Sequence, residues 1–329
     1  MNTFPFISRV ALPRIVACAL MAAAGMAPPA ARAADAASAC RYVPMATLPL
    51  REGRGLQVDG SINGEPVAMT LDTGAHTTYL TENVTERLGI PLDQSGRYSL
   101  GVSGASVVYA ARLKDFSIGS VHSSTNKLVL PVLGEKHGYD VLLGADYLLR
   151  MDLEISVREH KVRFFSASGC KDTYLAYWDQ NAMELPFTQV SQDDMRPHVD
   201  VMLNGVKLDA IIDTGASFSV LTLDAARRAG VHIDTGTAKP SALAVGGGAK
   251  PVKVWTGLFN TFTIADETIK QAYIHVIDTP GTGAHSDHDM LLGEDFLRAH
   301  RILLATSQNR VYLSYNGGAL FADPAGAAK

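Results

Sequence analysis

The sequence predicts an all-β fold in two copies of one domain, each copy carrying short helices. Three observations lead there. Met69-Thr-Leu-Asp72-Thr73-Gly74-Ala75 returns 141 positions later as Ala210-Ile-Ile-Asp213-Thr214-Gly215-Ala216, and at that offset Asn63-Gly64 pairs with Asn204-Gly205, Leu80-Thr81 with Leu221-Thr222 and Gly89 with Gly230. Apolar-alternating runs flank both Asn-Gly dipeptides, the strongest short hairpin signal a sequence carries. An apolar run ending in glycine also occurs twice, Val141-Leu-Leu-Gly144-Ala145-Asp146 and Met290-Leu-Leu-Gly293-Glu294-Asp295, now 149 apart.

At 329 residues, 47% hydrophobic and 19% charged, the chain is long enough for about two soluble domains. Residues 1–33 read as a secretory signal peptide: Arg9 and Arg14 precede the apolar run 15–26, and Ala31-Arg32-Ala33 offers small residues for cleavage. That run is shorter than the ~20 apolar residues that span a bilayer, and Pro28-Pro29 stops it. The protein is therefore expected to be exported, periplasmic or secreted, with no stable membrane insertion after signal removal. Losing the signal takes the net charge from -4 to -7, with 26 basic against 33 acidic residues, which recommends no nucleic acid as a partner. Cys40 and Cys170 then remain and bracket the first copy. They either form a disulfide, as export permits, or are two thiols that never meet.

The first domain is expected over residues 41–170, a connection over 171–182 and the second domain over 183–325. In each, the second hairpin strand leads into Asp-Thr-Gly. The period then changes: Thr81 and Thr222 read as helix N-caps, and Gly89 and Gly230 end the helices. The middle of each copy reads as a hairpin with a glycine-rich tip, Leu100-Gly-Val-Ser103-Gly104 and Gly246-Gly247-Gly248. After each apolar-glycine run, Asp146 and Asp295 read as capping acids of a further helix. The change of offset places an insertion of eight residues in the polar stretch 280–289.

Two acids delivered by matching halves suit a shared-proton dyad. If Asp72 and Asp213 face each other at about 3 Å, their charges repel by roughly 5 kcal/mol at an effective dielectric near 20, equivalent to about four pKa units. One then keeps a proton while the other acts as base, and a water polarised between them can attack a carbonyl with no metal or cofactor. Gly74 and Gly215 let each turn approach the opposite loop, where a Cβ would intrude.

These motifs resemble the aspartic peptidases of retroviral type, whose hallmarks are an apolar pair before Asp-Thr-Gly-Ala, a glycine-rich flap and an apolar-apolar-Gly segment before the terminal helix. All three occur twice, over roughly residues 45–167 and 183–315. The resemblance implies two retropepsin-like β-barrel lobes arranged in one chain as in pepsin-like enzymes. It implies catalytic Asp72 and Asp213, supported by Thr73, Gly74, Ala75, Thr214, Gly215 and Ala216, with the threonine hydroxyls reaching across to the opposite loop. Ser103, Gly104, Gly246, Gly247 and Gly248 become flap candidates. The expected activity is endopeptidase cleavage of a peptide or protein substrate, by a monomer more readily than by a homodimer. Ala75 and Ala216 stand where pepsin-like enzymes usually carry Ser or Thr. The dyad anions lack that donor, and the working pH is expected to be less acidic than a digestive enzyme's.

Other readings compete at several places. The duplicated turns would also serve a non-catalytic peptide-binding module, or a scaffold retaining its loops. His76, at a position where the family favours small or acidic residues, either tunes Asp72 or faces cleft or solvent. Tyr109 and Trp255 read as core packing, with cleft lining as the alternative. A third Asp-Thr-Gly at Asp234 follows the helix-ending Gly230 with no apolar strand before it and reads as a loop. His285, Asp287, His288 and Asp289 carry metal-capable side chains but read as a solvated loop.

Overall fold

The computed structural model describes residues 39–53, 55–101, 104–123, 128–134, 137–189, 191, 194–234, 240, 242–244, 251–278 and 288–322. The described residues are mostly β, 54% strand and 9% helix, in two barrel-like lobes with a six-stranded sheet between them.

Each lobe starts from its Asn-Gly hairpin, Gln57–Ile62 with Glu65–Leu71 and His198–Leu203 with Val206–Ile212. Both turn residues take positive φ, 53° and 86° at Asn63-Gly64 and 51° and 80° at Asn204-Gly205. That is the primed turn whose twist matches a two-residue hairpin, and Asn and Gly tolerate it best. The asparagine side chain adds a second function. Asn63 Oδ1 accepts from the backbone of Lys114 at 2.8 Å and Asp115 at 3.1 Å, and Asn204 Oδ1 accepts from Thr261 N at 3.1 Å. The turn is thereby fastened to the strand that closes the barrel.

The second hairpin strand pairs in parallel with the apolar-glycine run, Val141–Leu143 in the first lobe and Met290–Leu292 in the second. Tyr79–Thr81 or Val220–Thr222 lies antiparallel on the other side of that run. Val141, Leu143, Met290 and Leu292 are fully buried on one face of these strands, and Leu142 and Leu291 are half-buried on the other. In the second lobe six strands close a ring, because Val252–Ile264 pairs with both Glu267–Ile277 and His198–Leu203. In the first lobe the equivalent long strand is broken into Gly104–Leu113 and Phe116–Ile118.

The short helices Glu82–Arg87 and Leu223–Arg228 follow, with Gly89 and Gly230 at positive φ of 61° and 81° just beyond them. Thr222 caps as expected, its hydroxyl accepting from Ala225 N at 3.2 Å. Thr81 does not. It is fully buried, and its hydroxyl donates to the carbonyls of Tyr139 and Asp140 at 3.2 and 3.0 Å. Asp146 and Asp295 also depart from expectation: the N-caps are Gly144 and Gly293, and although Asp295 Oδ1 takes the Phe296 N–H at 2.9 Å, both acids are drawn to the loops that follow Asp-Thr-Gly.

The six-stranded sheet runs Arg41–Pro49, Lys161–Ser168, Asp152–Ser156, His300–Ala305, Arg310–Tyr315, Met183–Pro186, three strands from each copy. Its central pair registers Leu153 with Leu304, Glu154 with Leu303 and Ile155 with Ile302. Exchanging every residue for its counterpart 149 positions away maps that register onto itself, so the relation between lobes is a local two-fold through Glu154 and Leu303. Cys40 and Cys170 form a disulfide at one side of the sheet. Residues 171–182 pack on the sheet, with Leu175 and Ala176 buried beside Leu303 and Tyr312 and the Trp178 ring 4.6 Å from the Arg301 guanidinium carbon.

Candidate active site

Each Asp-Thr-Gly turn leaves its strand where the parallel partner ends. Asp72 N donates to Leu143 O and Asp213 N to Leu292 O, both at 2.9 Å. The two turns meet within one chain and interlock. Thr73 N donates to Thr214 Oγ1 at 2.9 Å, Thr214 N donates to Thr73 Oγ1 at 3.1 Å, and Thr73 Oγ1 donates to Ile212 O at 2.5 Å. With Thr73 and Thr214 at 0% and 1% exposure, these bonds face no competition from solvent. A Cβ on Gly74 would lie 2.4 Å from Asp213 Cγ, and one on Gly215 2.4 Å from Asp72 Cγ. Each glycine therefore makes room for the opposite lobe's carboxyl group.

The carboxyl groups take their bonds from the loops' own backbones: Ala75 N donates to Asp72 Oδ1 at 2.9 Å and Gly215 N to Asp213 Oδ1 at 2.8 Å. Burial first, then the charge of Asp213 and the hydrogen bond to it, raise the Asp72 carboxyl well above the ordinary range, against the opposing N–H groups of Ala75 and Gly74. Burial also raises Asp213, but the Gly215 N–H, the bond with Asp72 and the charge of His288 oppose it. The arrangement suits one proton shared by the pair.

Behind the loops stands a brace that sequence reasoning misread. Asp146 accepts from Thr78 N at 2.9 Å and Thr78 Oγ1 at 2.7 Å, and Asp295 accepts from Ser219 N at 2.8 Å and Ser219 Oγ at 2.6 Å. The same hydroxyls accept from Gly144 N at 3.0 Å and Gly293 N at 2.9 Å. A Cβ on either glycine would lie 2.5 Å from the backbone of Thr77 or Phe218. The signal was present in the sequence: each acid and each hydroxyl recurs in the second copy.

His76 lies beside Asp194 of the second copy, its Nδ1 3.4 Å from Oδ1. Trp255 is 3% exposed and Tyr109 packs against the core. Gly104 pairs with Gly101 in the first mid-copy hairpin, whereas Ser103, Gly246, Gly247 and Gly248 lie outside the described residues. So do His285 and Asp287, while Asp289 pairs with Arg228 at 2.5 Å as Asp140 pairs with Arg87 at 2.7 Å. Asp234 is exposed, away from any strand. His288, whose charge acts on Asp213, had no sequence signal beyond its place in the polar insertion.

Residues 58–150 match the family described as "gag-polyprotein putative aspartyl protease", and residues 199–296 match the family described as "aspartyl protease". No curated protein matches the chain significantly. Two retropepsin-like aspartyl protease domains thus stand in tandem along this chain, which belongs to that family.

Proposed function

We propose that the protein is an aspartic endopeptidase in which Asp72 and Asp213 together activate a water against the scissile carbonyl. The observation that carries this reading is the reciprocal interlock: each loop's glycine leaves space for the other loop's carboxyl group, and each threonine hydroxyl accepts the other threonine's N–H. A turn kept only as scaffold has no need to press a buried and a half-buried carboxyl group together, since withdrawing acids from water costs stability unless they serve a purpose. One acid of the pair would hold the shared proton and donate it to the carbonyl oxygen, and the other would take a proton from the water. Bond cleavage needs no acyl intermediate on this chain. Both acids lie in one chain, which favours a monomer as the working form, and the Cys40–Cys170 disulfide fits an oxidising compartment outside the cytosol.

The test compares wild type, Asp72→Asn and Asp213→Asn on an unfolded proteome-derived peptide mixture, with new termini read by mass spectrometry. An endopeptidase generates termini in wild type and in neither variant. Peptides retained by all three chains and cleaved by none would instead identify a binding module.

A further inference from the structure

The two active-site loops are braced differently at one matched position. After Ala216 the second loop carries Ser217, exposed and uncharged; after Ala75 the first carries His76. Asp194, which His76 meets, is itself firmly held. It is 7% exposed and bound by Arg196, 4% exposed, through Nε to Oδ1 at 2.9 Å and Nη2 to Oδ2 at 2.8 Å. The next residue, Pro197, accepts from Ile212 N at 3.2 Å, one position before Asp213. His76 therefore reaches from the first active-site loop to the frame of the second. On its own side it adjoins Ala75, whose N–H holds Asp72 Oδ1. A shift at residue 76 passes through one peptide unit to a donor on the dyad.

Several charged groups surround this contact. From the second copy come Asp194, Arg196 and His198, whose Nε2 is 3.9 Å from Asp194 Oδ2 and whose Nδ1 is 2.8 Å from Asp209 Oδ2. Asp72 lies on the same loop, and Asp146 lies on the helix whose first residue donates to Ala75 O. Asp193 is outside the described residues. Burial tends to raise the Asp194 carboxyl, but its bonds from Arg196 and the charges of Arg196 and His76 outweigh that and hold it below its ordinary value. The anion thus persists in mild acid. The His76 ring attracts that anion only while it carries a proton, so the attraction belongs to the acid side and is lost once the ring is neutral.

We propose that His76 is a positioning residue for the dyad: as an imidazolium it ties the first active-site loop to Asp194 and keeps the Ala75 N–H on Asp72, and as a neutral ring it releases that loop. This inference rests on the endopeptidase reading. It assigns to one histidine a part of the alkaline fall in activity that the two acids alone would not produce.

The experiment measures kcat and KM from pH 4.5 to 8.5 for wild type, His76→Gln and His76→Arg on a quenched-fluorescent peptide pool. Residue 76 is partly exposed, and a pair of this kind shifts the population of the tied loop by up to about fivefold, which is the largest factor it can lend to the rate. His76→Gln is expected to lower kcat by up to that factor at pH 5 with KM unchanged, and to converge with wild type at pH 8. His76→Arg keeps its charge throughout and is expected to extend activity on the alkaline side. Equal losses at pH 5 and pH 8 in His76→Gln, or an unmoved alkaline limb in His76→Arg, would overturn the proposal. Wild type that cleaves nothing at any pH refutes the endopeptidase reading instead. The tie is then read from thermal unfolding, where His76→Gln lowers Tm at pH 5 but not at pH 8 if the tie exists, and at neither if it does not.

Discussion

A methyl group added at Gly74 would stand 2.4 Å from the carboxyl carbon of Asp213, a residue of the other lobe. The same intrusion holds between Gly215 and Asp72. The dyad is therefore not two acids placed side by side by separate domains. It is one interlocked object in which each lobe's backbone is shaped around the other's side chain.

Gly74→Ala should abolish cleavage without unfolding the chain. The added carbon cannot share that space, so the loops must part, and misplacement of about 1 Å costs on the order of a hundredfold in rate. Overpacking a tight site costs about 1–3 kcal/mol of stability. Wild-type kcat/KM in this variant would contradict the interlock.

The dyad should make the protein less stable as pH rises. Both carboxyls titrate higher in the fold than in the unfolded chain, Asp72 most clearly, with burial the leading cause in each. Between the ordinary carboxylate value and the raised one, the native state binds more protons than the unfolded state, so stability falls as pH rises through that window. Asp72→Asn removes one titrating group while keeping a donor toward Asp213. Its Tm should exceed wild type at pH 7, with the difference vanishing near pH 3. An advantage that stays constant with pH would contradict the raised dyad.

Ala216→Ser offers Asp213 a hydroxyl that the wild-type loop lacks. A hydrogen bond to an ionised carboxylate is worth about 1.5 kcal/mol, which corresponds to about one pKa unit. The acid limb of the rate profile should move down by about that much. The measurement is kcat/KM from pH 2.5 to 6 for the two proteins, and an unmoved limb means that the serine does not reach the carboxylate.

The dyad and its hairpins were legible because their chemistry admits few residue types. Asp must ionise, Gly74 and Gly215 must lack a Cβ, and Asn63 and Asn204 must accept a positive φ. Asp146 and Asp295 were misread because an acid at a helix start looks locally like a cap, while the partners that hold them are 68 and 76 residues away. The inter-lobe sheet left no mark either. Pairing Leu153 with Leu304 is a fact about two distant strands, and each strand alone reads only as buried apolar sequence.

Cys40→Ser should cost stability and leave the chemistry intact. The bridge joins the start of the outer strand Arg41–Pro49 to the residues beyond Lys161–Ser168, closing a separation of 130 residues on the inter-lobe sheet. Removing such a link typically costs about 2–4 kcal/mol. Denaturant unfolding should show a lower midpoint, with kcat at 25 °C near wild type. A large fall in kcat in folded Cys40→Ser protein would mean that the bridge also positions the dyad.

Glu154 presents the sharpest electrostatic test of the lobe junction, because a full charge sits at the local two-fold with 0% exposure. Its carboxylate takes Arg163, Arg301 Nε at 3.0 Å and Nη2 at 2.8 Å, and the Tyr177 hydroxyl at 2.6 Å. One acid thus gathers two arginines, one from each copy, and a residue of the connection between them. Glu154→Gln keeps the volume but leaves two partly buried guanidinium groups with only the more exposed Glu159 as anion, at 3.2 Å from Arg301 and 3.7 Å from Arg163, so the loss should stay below the roughly 3–5 kcal/mol of a fully unpaired buried charge. Replacing Glu154, Arg163 and Arg301 together by Leu, Met and Met should recover most of that loss, since an apolar set of similar volume needs no pairing. Chemical denaturation of the two variants beside wild type makes the comparison. A triple variant no more stable than Glu154→Gln would show that the cluster contributes net stability to the junction beyond mutual neutralisation.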